Sequence, residues 1–180
     1  MELARRPIAL AGVLLGIHLI VTPRLAAQSA TLKGDLLNDW LSMKDAMMKI
    51  ADAMPEEKFS FKTTPPQRTF GEQILHVADG NRIGMGMLGS GVAPPTIDMK
   101  ATGKADILKA LADSYDFGAA VISAQTDQSL LETVRTLPFL GATTRARVIW
   151  FDLEHAWDIY GQMVVYLRVN GIVPPASQRP

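Results

Sequence analysis

Apolar residues recur at spacings of three and four along four stretches of this chain, the period of helices that bury one face. In the first, Leu32, Leu36, Trp40, Met43, Met47, Ile50 and Met54 make one stripe, with Lys33, Asp35, Lys44, Asp45 and Lys49 elsewhere. Pro55 lacks the N–H that a helix needs and ends it. The second stretch is announced by Thr69-Phe70-Gly71-Glu72, which fits a capping box: the Thr hydroxyl accepts from a free helix N–H and the Glu side chain reaches back. Phe70, Ile74, Val77, Asn81 and Leu88 mark its inner face, with fraying expected from Gly84 to Gly91. The third runs from around Gly103 to near Gln125, with Ile107, Leu111, Tyr115, Gly118 and Ile122 inward. The fourth begins after Thr143 or Thr144 and reaches Val169. Val148, Phe151, His155, Ile159, Gln162, Tyr166 and Val169 share one side of it. Asn170-Gly171 supplies a left-handed stop, and Pro174-Pro175 forbids continuation.

No stretch alternates with period two long enough to mark a strand. The chain therefore reads as all-α, a four-helix bundle. Its connections exceed the about 2–8 residues usual in bundles, which predicts at least one long crossover. Asp127 to Arg135 is expected to add a short helical piece. The loop from Phe59 to Arg68 is expected to pack on the bundle, because Phe59 and Phe61 would otherwise face water.

The N-terminus follows a different pattern. Arg5 and Arg6 precede the apolar run Ile8 to Val21, followed by Pro23 and the small pair Ala26-Ala27, the layout of a secretory signal. The run is shorter than the roughly 20 residues that span a bilayer comfortably. Cleavage after Ala27 is expected, leaving residues 28–180 as an exported domain, periplasmic or secreted, with no stable membrane insertion. An uncut N-terminal anchor is the alternative. The chain has no cysteine, which removes disulfides, thiolate nucleophiles, Cys-based zinc sites and lipid attachment. Lys+Arg and Asp+Glu both number 18, so no basic field is available for a phosphate backbone, and a nucleic-acid partner is excluded.

Beyond the signal segment, the only histidines are His76 and His155, each in the middle of a predicted helix. Imidazoles projecting from facing helices are a common way for a bundle to build a metal site. Two core histidines hydrogen-bonded to their neighbours are the plainer reading, favoured by composition alone.

The residues that surround them resemble a known family. Met54-Pro55-Glu56-Glu57-Lys58-Phe59-Ser60-Phe61-Lys62, Arg68-Thr69-Phe70-Gly71-Glu72-Gln73, Leu75-His76-Val77-Ala78, Tyr160-Gly161-Gln162 and Tyr166-Leu167-Arg168-Val169-Asn170-Gly171-Ile172-Val173-Pro174-Pro175 are similar to the DinB-like superfamily, over essentially all of residues 31–177. The resemblance implies a four-helix bundle of unusual connection order, often a homodimer, in which three histidines bind a divalent metal such as zinc or nickel. One of them comes from the second helix and two from a His-x-x-x-His pair just before Tyr-Gly-Gln. His76 matches the first and His155 the second. The third falls at Ile159, which donates nothing. Asp158 is the replacement ligand expected here, with Asp152 and Asp79 as further carboxylates within one turn of a histidine. The metal set is thus His76, His155 and Asp158. The other outcome is a non-catalytic binding bundle whose metal site has degenerated. The thiol-dependent activities of some relatives transfer badly to an exported chain, so the reaction stays open.

Gly84-Met85-Gly86-Met87-Leu88-Gly89 spells a dinucleotide fingerprint but follows no strand, so it fails its own context. There is no Gly-x-Ser-x-Gly elbow, and the methionines of the first helix read as core filler. A small apolar ligand between the helices, near Trp150, Phe151 and Trp157, is a third reading; plain core or a dimer surface is the simpler role for those tryptophans.

Overall fold

The computed structural model describes residues 30–178, so the export segment expected over residues 1–27 lies outside the described residues. Helix α1, Leu32–Asp52, opens at Thr31, whose hydroxyl accepts from the Gly34 N–H. Leu36, Trp40, Met43, Met47 and Ile50 are buried along it, and Met54 continues the line just beyond its end. Helix α2, Phe70–Gly86, carries the reciprocal cap in full: Thr69 Oγ1 accepts from the Glu72 N–H at 3.1 Å, and Glu72 Oε2 accepts from the Thr69 N–H at 2.6 Å. Helices α3 (Lys104–Ser123), α4 (Asp127–Leu130) and α5 (Arg145–Val169) follow. Thr144 caps α5 by accepting from the Arg147 N–H at 3.2 Å.

The exit from α5 is a Schellman motif. The Ile172 N–H donates to the Leu167 carbonyl at 2.9 Å and the Gly171 N–H to that of Arg168 at 3.0 Å, while Gly171 sits at φ +74, where a side chain would be strained.

Among the described residues the fold is mostly helical, and no helix is long and apolar enough to cross a membrane. The long helices pack α2 on α3, α3 on α1, α1 on α5 and α5 on α2. The connections from α1 to α2 and from α3 to α5 therefore join helices that are not direct neighbours. The first carries Phe59, which is buried, and is tied to α2 by the Phe70 and Gly71 N–H groups donating to the Phe61 and Phe59 carbonyls. Trp40 closes the α1–α3 contact. Its indole N–H donates to the Tyr115 carbonyl at 2.8 Å, and its ring lies so close to Gly118 that an added Cβ there would meet Cζ2 at 2.1 Å.

The structure departs from the expected pattern between α3 and α5. Only Asp127–Leu130 of the expected helical piece is helix. Thr133–Arg135 (β1) pairs antiparallel with Ala142–Thr144 (β2), Thr133 opposite Thr144. Three residues are too few to display a period of two, so this hairpin leaves no trace in the hydrophobic pattern. Arg145 anchors its base: the guanidinium donates to the Leu88 carbonyl at 3.0 Å, the Ser129 carbonyl at 3.1 Å and the Glu132 carboxylate at 2.6 Å.

The stripe on α5 also differs. Val169 is 62% exposed, whereas Val148, Asp152, Ala156, Ile159, Met163 and Tyr166 are buried.

Candidate functional site

Two glycines on α2 let α5 come close. A Cβ on Gly80 would stand 3.4 Å from His155 Cε1, and one on Gly84 only 2.0 Å from Asp152 Oδ2. Spaced four apart, they share one helix face with His76. The result is a polar seam between α2 and α5 made of His76, His155 and Asp152.

His76 and His155 meet through their Nε2 atoms at 3.0 Å, with ring planes inclined at 83° and centroids 4.8 Å apart. With both rings neutral, one Nε2 must carry a proton and the other accept it, so the two adopt opposite tautomers. Burial pushes His76 below the ordinary imidazole range, helped by Arg68 and by His155 itself, with Asp79 opposing. His155 is lowered first by burial and then by Arg68, against the pull of Asp158. Protonating both would set two cations side by side, so the pair resists taking up a second proton.

Two imidazoles on one tetrahedral ion would have their nitrogens about 3.3 Å apart, given metal–nitrogen distances of about 2.0–2.1 Å. The observed spacing is near that value, but the remaining donors are directed elsewhere. Asp158 is exposed and accepts from Gln162 Nε2 at 3.0 Å. Asp79 accepts two N–H bonds from Arg82, at 2.9 and 2.7 Å. Ile159 is buried. Among the described residues no group of three or more His, Cys, Asp or Glu side chains comes together in a way that could hold a metal ion. As placed, the donor set stops at two nitrogens, one short of the three protein ligands that hold a catalytic zinc; it does not fit a resident metal.

Beside the pair lies a cavity of about 270 Å³ between α2, α5 and the hairpin loop, reached by Thr136, Leu137, Phe139 and Leu140. Its walls are largely apolar, with Ile83, Met87 and Phe151 prominent. Phe139, 70% exposed, stands over Phe151 with centroids 5.5 Å apart. Asp152 also lines the cavity. It is 5% exposed, its Oδ2 has no hydrogen-bond partner among the described residues, and burial holds its carboxyl well above the usual carboxylate range. Tyr115 OH is a second buried polar atom without a partner.

Of the sequence-predicted residues, the structure brings His76 and His155 together, while Asp158 is exposed and accepts from Gln162. Trp150 and Trp157 do not reach the cavity; they lie, 46% and 57% exposed, along an outer groove with Asp39 and Ser42. Gln162 takes part in a glutamine cluster, where its Oε1 accepts from Gln73 Nε2 at 2.7 Å and Gln67 Nε2 at 2.9 Å. Sequence reading gave Asp152 only a reserve place as a ligand. Its burial was signalled by its position four residues after Val148 and seven before Ile159.

Fold and site together define a helical domain with a paired-imidazole centre beside an apolar cavity. The profile of the DinB superfamily matches residues 41–163, and the chain belongs to that superfamily. Its fold is similar to that of a DinB-like protein from Bacillus cereus ATCC 10987 (TM-score 0.63, 23% identity, covering 81% of this chain and 96% of that one). It is equally similar to that of a DinB-like protein from Bacillus subtilis (TM-score 0.63, 16% identity, covering 81% of this chain and 99% of that one). No curated protein matches the chain significantly.

Proposed function

We propose that this chain is an exported binding domain on a four-helix-bundle scaffold, in which the metal site of the family is reduced to a histidine pair. The observation that carries this reading is the buried Ile159 at the position the resemblance assigns to the third histidine, beside two Nε2 atoms 3.0 Å apart. The pair then serves as a neutral polar wall of the cavity, one ring offering an N–H and the other an acceptor. The exposed Trp150 and Trp157 support self-association of two copies through that outer face, since large apolar side chains at a surface favour contact.

Metal analysis of the purified protein, with Ile159→His beside the wild type, tests the reading. The wild type is expected to carry far less than one divalent ion per chain, and Ile159→His to bind zinc or nickel stoichiometrically. One ion per wild-type chain, lost in both His76→Ala and His155→Ala, would overturn it and make Asp158 the third donor to examine.

A further inference from the structure

The cavity beside the histidine pair has a composition that selects its occupant. Its apolar wall of Ile83, Met87, Leu137, Leu140 and Phe151 accommodates a hydrocarbon or aromatic body. Its polar residues are Thr136, two imidazoles and two carboxyls, Asp79 and Asp152, with no lysine or arginine among the lining residues. Asp79 already has its cation in Arg82. Asp152 has none, and its Oδ2 is buried without any donor. A carboxyl buried without a donor is costly, and a ligand whose N–H reaches it from the cavity it lines recovers part of that cost on binding.

Gly84 indicates that the carboxyl position is built. The Asp152 carboxyl fills the space a side chain at residue 84 would need, with Oδ1, Oδ2 and Cγ all within 2.6 Å of where a Cβ would be. The carboxyl is therefore seated against α2 at the cavity wall, not held there by ion pairing.

Resting on the reading of this site as a binding pocket, we infer that the cavity takes a small amphiphilic amine, its apolar body against Phe151 and Ile83 and its nitrogen donating to the Asp152 carboxyl. An ammonium brings both N–H donors and the matching charge; when it enters, the acid proton leaves to solvent and the cavity stays neutral. An anion would face two carboxyls and no cation. At about 270 Å³ the space lies below the roughly 300–1,000 Å³ of sites for drug-sized ligands, so the occupant is compact.

Calorimetric titration of the purified protein with 2-phenylethylamine, and with 2-phenylethanol as its uncharged counterpart, tests the inference. The amine is expected to bind saturably and the alcohol at least about tenfold more weakly, a difference of about 1.4 kcal/mol. Asp152→Asn should remove that preference, Ile83→Trp should abolish amine binding by filling the cavity, and Trp157→Ala on the outer face should leave it intact. If the alcohol binds as tightly as the amine, or Ile83→Trp binds the amine unchanged, the amine assignment is overturned; in the first case the pocket itself still stands. If neither compound binds, the pocket reading fails with it. The wild-type comparison needs no variant, so it decides the matter even if a substitution unfolds the chain.

Discussion

The contact of α1 with α3 and the contact of α2 with α5 both depend on glycines that admit a large or polar partner, yet they are built to different ends. On the α1–α3 side, Gly118 receives Trp40, whose single polar atom finds the Tyr115 carbonyl at 2.8 Å. The polar atom of the residue that Gly118 admits is thus satisfied. On the α2–α5 side, Gly84 receives Asp152, whose Oδ2 finds nothing, and the neighbouring histidines satisfy only each other. A close approach between helices thus serves stability in one place and a poised polar site in the other.

That contrast can be broken in order of effect. Trp40→Ala removes a fully buried ring and should cost about 3–5 kcal/mol, read as a lowered midpoint in denaturant unfolding. Gly118→Ala and Gly84→Ala both overfill a tight contact and should each cost about 1–3 kcal/mol. They should differ in consequence: Gly84→Ala displaces the Asp152 carboxyl and so changes ligand binding, while Gly118→Ala leaves binding unchanged once the protein is folded.

Asp152→Asn should have the opposite sign. The folded carboxyl is held above its unfolded value of about 3.9. Its favourable contribution is therefore complete below about pH 4 and lost as pH rises toward the folded value. Removing the charge should stabilise the protein near pH 8 and flatten the decline. Stability measured from pH 4 to 9 that falls equally in wild type and variant would refute this.

The histidine pair gives the smallest effect, and on the other limb. Both imidazoles are lowered in the fold, so their contribution is present above about pH 6.5 and fades as pH drops through the folded values. Replacing both with glutamine should weaken the acid dependence below pH 6.5 in the same unfolding series.

The two regions were not equally legible in the sequence. The α1–α3 contact lay open to reading because its stripes are apolar and its ends are punctuated: Thr31 and Pro55 bracket α1, and Gly103 precedes α3. The capping box at Thr69 and the stop at Gly171 fixed one end each of α2 and α5 in the same way. The α2–α5 site was legible only in part. His76 and His155 stood out by type, and the resemblance placed them face to face. Asp152 did not, since an aspartate within an apolar stripe is ordinarily assigned to solvent, and Phe151 took its place on the expected face. The line Val148, Asp152, Ile159, Met163 and Tyr166 that the fold buries passes through that aspartate. The third wall of the cavity comes from residues 136–140, held by a hairpin too short to leave a pattern and by long-range bonds from Arg145, which no local window contains.

The most direct test of the histidine pair is nitrogen-15 magnetic resonance of the side chains before and after addition of one equivalent of zinc. The expected spectrum shows opposite tautomers, with one Nε2 protonated and the other bare, and changes little when zinc is added. Both Nε2 atoms moving together into the metal-bound range would contradict the account and restore a metal centre to this site.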